Sequence, residues 1–423
     1  MKTTTKLLAG AALALASMVG TASAQVLFWA NQAVPVEEAQ KMREQVLKDF
    51  PGGADFQPQD PGPFITRIQA ERDAGGTGTI GVVGALHGDL ASFTDNWMDL
   101  SDVDLTGVAP SPAFMELGKL GTGEQKYLPW MQATYVMVAN KQALPFLPEG
   151  ADLNALTYDQ VVAWAKAMAE ETGSPKFGFP GGPKGLKHRF FQGFLLPAYT
   201  GSEVTKFRSP EAETAWNTFK ELWTYTNPAS TNYDFMQEPL LTGDVWLAFD
   251  HIARLAEAFN QKPDDFVAFP APAGPKGRAF MPVLAGLAVP NNTPDAAKAK
   301  ELVKYMMQPS QQVATLLATN FFPTTDAALP AELPNAAKAL GPAVTAMTSA
   351  ADALPALLPV GLGDKGGQFN QVYIDAFEHI VLGGQDVRQV LDQQAETLRA
   401  LMVETGAKCW LPDAPSEGPC PVE

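Results

Sequence analysis

Imidazole and thiol groups are scarce in this chain, with four histidines and two cysteines among 423 residues. The histidines, His87, His188, His251 and His379, are scattered, and none stands four residues from another. A zinc site built on helix-paired histidines therefore has no footing. Catalytic signatures are missing too: there is no G-x-S-x-G, no H-E-x-x-H and no Gly-Lys-Ser/Thr phosphate loop. Carboxylate pairs are no guide to glycoside hydrolysis, because 46 acidic residues bring many together by chance. No cofactor and no metal are implied, and the chain is not expected to be an enzyme. Basic residues are also outnumbered, 30 against 46, for a net charge of −16. That balance argues against nucleic acid and anionic membranes as partners. After the N-terminal stretch, no run approaches the ~20 apolar residues of a spanning helix.

What is present begins with an export signal. Lys2 and Lys6 precede an apolar stretch, and Ala22-Ser23-Ala24 forms an A-x-A cleavage site before Gln25. Residues 1–24 are expected to be removed, leaving a soluble periplasmic protein; loss of the two lysines moves the charge from −16 to −18. In an oxidising compartment the two cysteines, Cys409 and Cys420, are expected to form one disulfide. With 46% hydrophobic and 18% charged residues, the rest is globular, and long enough for two or three domain-sized units.

Strand and helix patterns alternate along the chain. Residues 26–29 read as a strand, 37–50 and 63–74 as helices, and 79–86 as a buried parallel strand. Gly76-Thr77-Gly78-Thr79-Ile80-Gly81 matches G-x-G-x-x-G, but a helix precedes it and a strand follows, the reverse of a dinucleotide site. It reads as a helix-to-strand turn. Residues 127–141 form another strand-like run. Thr157 and Gln160 have capping-box spacing at the head of a helix over 157–172. Helices are also predicted over 188–197 and 209–226. Residues 245–249 read as a strand, with a polar loop from Asp250 that opens a helix. Residues 281–289 form a strand, Thr293 caps the next helix, and Gln308-Pro309 stops it ahead of a second short helix. Phe321-Phe322-Pro323 makes an aromatic turn, and two helices parted by Gly383-Gly384 occupy 368–405.

The order strand, cap, helix, break, helix and aromatic turn over 279–325 resembles a late core segment of family 1 extracellular solute-binding proteins, the maltose-binding-protein-like group. Pro129, Trp130, Asn140 and Lys141 match a further family segment, although Ala139 stands where an aromatic is usual. Phe177-Gly178-Phe179 after a Thr-capped helix, the Gly-acid pair before 245–249 and the closing helix pair agree in order. The resemblance implies an α/β fold of the two-lobed periplasmic binding protein type, with hinge strands between the lobes. Lobe one would take 25–131 and 279–325; lobe two would take 132–278 and 326–423, including the disulfide tail. It further implies a monomeric receptor that closes on a mono- to oligosaccharide and delivers it to the membrane permease of an ABC importer. Glycerol 3-phosphate or its diesters are the alternative cargo, and an exported carbohydrate-active enzyme is the rival from another class.

Aromatics beside amide, carboxylate and imidazole groups at strand ends suit a sugar, whose C–H face stacks on a ring while its rim of hydroxyls needs planar polar partners. Trp29 with Asn31 and Gln32, Trp130 with Gln132, and Phe249 with Asp250 and His251 form such clusters. Asp60, His87, Asp89 and Arg254 are further ligand candidates by position, with His188, Arg189, Gln192 and Phe322 behind them. Each has a structural alternative. The tryptophans suit a core, Asp60 a helix cap, His87 and Asp89 a turn, and Arg254 a surface ion pair.

Overall fold

The computed structural model describes residues 25–32 and 36–423, so the expected export signal over 1–24 lies outside the described residues. Its first sheet starts at β1 (Val26–Ala30), flanked by β2 (Ala54–Pro58) and β3 (Val82–Leu86), all parallel. The run Val-Val-Gly-Ala-Leu in β3 is apolar on both faces because both faces of the sheet are covered. Gly84 is required there: a Cβ would lie 2.6 Å from the ring of Phe28. β4 (Leu128–Ala133), β10 (Val283–Ala288) and β11 (Phe322–Pro323) complete the order β11-β4-β10-β3-β1-β2, with β10 antiparallel to both neighbours.

A second sheet has the order β6-β7-β5-β8, from β5 (Tyr135–Asn140), β6 (Phe177–Gly178), β7 (Leu247–His251) and β8 (Phe266–Phe269). β9 (Arg278–Phe280) pairs with β12 (Ala353–Pro355) in a short ribbon. The apolar run over 127–141 is therefore two strands in different sheets, parted only by Thr134. Met281 and Pro282 part β9 from β10 at the return crossing.

Side-chain alternation along β1 sends Phe28 to one face of the first sheet and Trp29 to the other, and each joins a separate core cluster. The largest cluster surrounds the second sheet and includes Trp164, Phe191, Trp216, Phe377 and, from the tail, Trp410. The capping box at Thr157 forms as expected, with Gln160 N–H donating to its hydroxyl, and Ser209 caps the helix Pro210–Thr224. The disulfide joins Cys409 and Cys420.

Several boundaries differ from expectation. The cap of helix Ala296–Met307 is Asp295, whose carboxylate accepts from Lys298 N–H at 3.0 Å. Thr293 closes a turn on Pro290 instead. The helix expected over 37–50 is α-helical only over Val36–Lys41 and continues as a π-turn over Met42–Val46. Strand β7 runs to His251, two residues beyond the expected end, so Asp250 and His251 finish the strand rather than open a loop. Helices Pro112–Gly118 and Asn335–Thr348 go beyond the elements expected from the sequence.

Candidate functional site

A cleft of about 530 Å³ opens between the carboxyl ends of the parallel strands in the first sheet and the end of β7 in the second. Its first wall is built on the residues that follow β1 and β3. Asn31 donates from Nδ2 to Asp89 Oδ2 at 2.5 Å, and Gln32 Nε2 donates to Asn31 Oδ1 at 2.6 Å. Gln32 Oε1 is buried and has no partner among the described residues. A connected amide–carboxylate chain thus faces the cavity with acceptor capacity to spare. Burial lifts the Asp89 carboxyl to about 6, against the opposing pull of the Arg189 guanidinium and the Asn31 amide.

The opposite wall comes from β5, β7 and the loops beside them. His251 ends β7 and caps the helix Ile252–Gln261, its Nδ1 accepting from Ala253 N–H at 3.3 Å. That bond assigns the ring proton to Nε2. Burial, aided by Arg254, lowers the His251 pKa to about 3, so the ring is neutral near pH 7. It meets Tyr135 edge-on at 5.1 Å and leans on Phe321 at 5.4 Å. Arg254 stacks over Phe235 at 4.7 Å and donates from Nη1 to the carbonyls of Lys184 and Asp234. His188 and Arg189 also line the cleft, and burial keeps His188 well below its ordinary pKa.

Of the candidate residues, Asn31, Gln32, Asp89, His251 and Arg254, together with His188 and Arg189, are brought together around the cleft. The others lie elsewhere. Trp29 is 4% exposed and donates from Nε1 to Phe64 O, inside a core cluster. Trp130, 1% exposed, packs on Phe28 in another cluster. Asp60 is exposed at the N-cap position of helix Pro61–Ala74, without a side-chain cap bond. His87 is buried with Nδ1 2.8 Å from the Tyr127 hydroxyl. Gln132 donates to Pro323 O and so ties β4 to β11. Asp250 turns inward and accepts from the N–H groups of Met236 and His251; burial pushes its carboxyl up to about 7. It shapes the wall from behind.

Sequence reasoning missed Tyr135, Leu186, Phe235 and Phe321, and the whole third wall over 358–370. The cluster Gly361-Leu362-Gly363 ahead of a helix that opens with Gly366-Gly367 was the available signal there, since glycine clusters mark loops. Among the described residues, no group of three or more His, Cys, Asp or Glu could hold a metal ion, and no helix is long and apolar enough to cross a membrane.

Residues 55–342 match the family model described as bacterial extracellular solute-binding protein. No curated protein matches the chain by sequence. Among solved structures, the chain resembles maltose-bound T. maritima MalE3 with a TM-score of 0.72 and 17% identity, over 89% of this chain and 99% of that one. It also resembles the substrate-binding protein Lmo0181 from Listeria monocytogenes in complex with cycloalternan (TM-score 0.69, 15% identity, 89% and 98% covered). UgpB from Mycobacterium tuberculosis in complex with glycerophosphocholine is similar at a TM-score of 0.67 and 19% identity, over 90% and 98%. At these identities the likeness establishes the architecture, an α/β fold of the two-lobed periplasmic binding protein type.

Proposed function

We propose, from the premise that the chain belongs to the bacterial extracellular solute-binding protein family, that it is the receptor of an ATP-driven carbohydrate importer. The observation that carries this reading is the cleft's pairing of a polar chain, Gln32–Asn31–Asp89, with rings and a neutral imidazole on the facing wall. The amides and the carboxylate suit sugar hydroxyls, while Phe321 and Phe235 offer faces for the C–H surface. Neighbouring structures of the same architecture hold maltose and cycloalternan, which supports a mono- to oligosaccharide as cargo.

Lobe one, in this proposal, comprises 25–131 and 279–325, and lobe two 132–278 and 326–423. Ligand held by one lobe gains contacts to the other only when the hinge closes, so binding shifts the population toward the closed form. That form would engage the membrane permease. The protein would act as a monomer in the periplasm after removal of 1–24, and the ligand would leave chemically unchanged.

A thermal-shift screen of residues 25–423 against mono-, di- and oligosaccharides tests the reading. A ligand at about 100 times its Kd should add ~2.7 kcal/mol, a shift of a few degrees. Stabilisation by one sugar class, with the sugar recovered intact, is expected. Recovery of a cleaved glycan would replace the receptor with an enzyme.

A further inference from the structure

The arginines of the cleft stand apart from the others in this acidic chain. Among the described residues Arg67, Arg72, Arg208, Arg278, Arg388 and Arg399 each have a carboxylate within ion-pair distance. Arg43 has none, but it commits its Nε and Nη2 to the carbonyl of Phe56. Arg189 and Arg254 also lack a carboxylate partner among the described residues, and both line the cleft. Arg254 is fixed by Phe235 beneath it and by two carbonyls on Nη1, which leaves Nε and Nη2 without a hydrogen-bond partner there. The Arg189 side chain makes no hydrogen bond to any described residue. Its charge reaches Asp89 across the cavity without forming an ion pair, and Asp89 already accepts the Asn31 amide.

The same cavity receives the start of helix Gly366–Phe377. That start has no side-chain cap and no acidic residue in its first turn, and Gly366 and Gly367 line the cleft. The positive end of its dipole adds to the potential of the guanidiniums. In the lining Arg189 and Arg254 are matched by Asp89 and Asp364, so the cleft is formally neutral within a chain of net charge −16, a local departure from the protein's acidic field. Asp364 also lines the cleft, but it lies exposed on the turn before the helix.

We infer that the cleft selects a hydroxylated ligand bearing one anionic group, a carboxylate or a phosphate, held by Arg189 and Arg254 opposite the Gln32–Asn31–Asp89 chain. This rests on the receptor reading above and narrows its cargo. Guanidinium matches both anions with paired N–H donors, whereas a neutral sugar leaves both guanidiniums of the cleft without an ion-pair partner.

Isothermal titration calorimetry on matched pairs decides it: D-galacturonate against D-galactose, D-glucuronate against D-glucose, and glycerol 3-phosphate against glycerol, with maltose as a neutral disaccharide. The anionic member of at least one pair should bind about tenfold tighter or better, and its affinity should fall as salt rises. Preference for the uronates identifies a carboxylate, and preference for glycerol 3-phosphate a phosphate. Arg189→Gln and Arg254→Gln should each bring the anion-to-neutral ratio toward one, and Arg189→Lys should retain part of it; melting of the unliganded variants checks that they fold. If the neutral members or maltose bind as tightly as the anions, the inference falls and the carbohydrate receptor stands. If no compound of either kind binds, the carbohydrate reading falls with it.

Discussion

The hydroxyl of Thr134 donates a 2.9 Å hydrogen bond to the carbonyl of Met281; at Thr134 the chain leaves the first sheet and at Met281 it returns towards it. Thr134 is 2% exposed and its own carbonyl accepts from Ile252 N–H, so the crossing is tied to the helix behind the cleft as well. Thr134→Val keeps the shape and removes the donor, leaving the Met281 carbonyl buried without that partner. Stability should fall by about 1–2 kcal/mol in urea unfolding. The balance of open and closed forms should also move, read as a changed radius of gyration in X-ray scattering of the unliganded protein. Scattering identical to that of the parent protein would mean the bond is no part of the hinge.

One carboxylate holds the C-terminal tail to the turn over 202–205. Asp413 accepts from the N–H groups of Glu203, Val204 and Thr205 and from the hydroxyls of Ser202 and Thr205. Asp413→Ala should cost about 3 kcal/mol, because several buried donors lose their acceptor together. Asp413→Asn, which retains one oxygen, should cost less. Thermal melts of the three proteins should rank in that order; equal melting temperatures would show that water replaces the carboxylate without loss.

How far the sequence reached can be judged residue by residue. Thr157 and Gln160 were legible because a capping box is local chemistry, complete within four residues. The single run over 127–141 hid a change of sheet, since Thr134 is β-branched and continues a strand pattern that only tertiary pairing divides. Within the cleft, Asn31, Asp89 and His251 were accessible as polar residues just after or at the end of apolar strands. Trp29 and Trp130 were not separable from cleft residues, because both faces of the first sheet are covered and its inner strands bury side chains on either face. Phe235 and residues 358–362 of the third wall sit on irregular backbone with no period to read.

Phe321 and Trp130 offer a direct contrast between a ring that lines the cleft and one that fills a core. Phe321→Ala should weaken binding of the best sugar from the screen by about tenfold, the loss of one stacking face. Trp130→Phe should leave that affinity unchanged and lower stability by about 1–3 kcal/mol through lost packing. Calorimetric titration and urea unfolding on both variants separate the two effects. Equal affinity losses in the two would place Trp130 at the ligand.

Burial gives the acid limb of the stability curve a nameable source in His87, whose pKa falls to about 4 from the ordinary 6.5. Between those values the unfolded chain holds the proton and the native protein does not, so stability rises with pH and drains away as pH falls. The full swing is of order 3 kcal/mol. Asp250 acts with opposite sign: its raised pKa, about 7, means the native state holds the extra proton, and stability declines as pH climbs from about 4 towards 7. His87→Gln should therefore flatten the acid limb, narrowing its stability difference from the parent protein as pH drops from 7 to about 4.5. The amide introduced by that substitution also keeps a polar group beside the Tyr127 hydroxyl, so the comparison is not dominated by an orphaned buried oxygen. Urea unfolding at the two pH values reads the difference directly, and parallel stabilities at both would show that His87 takes no part in acid unfolding.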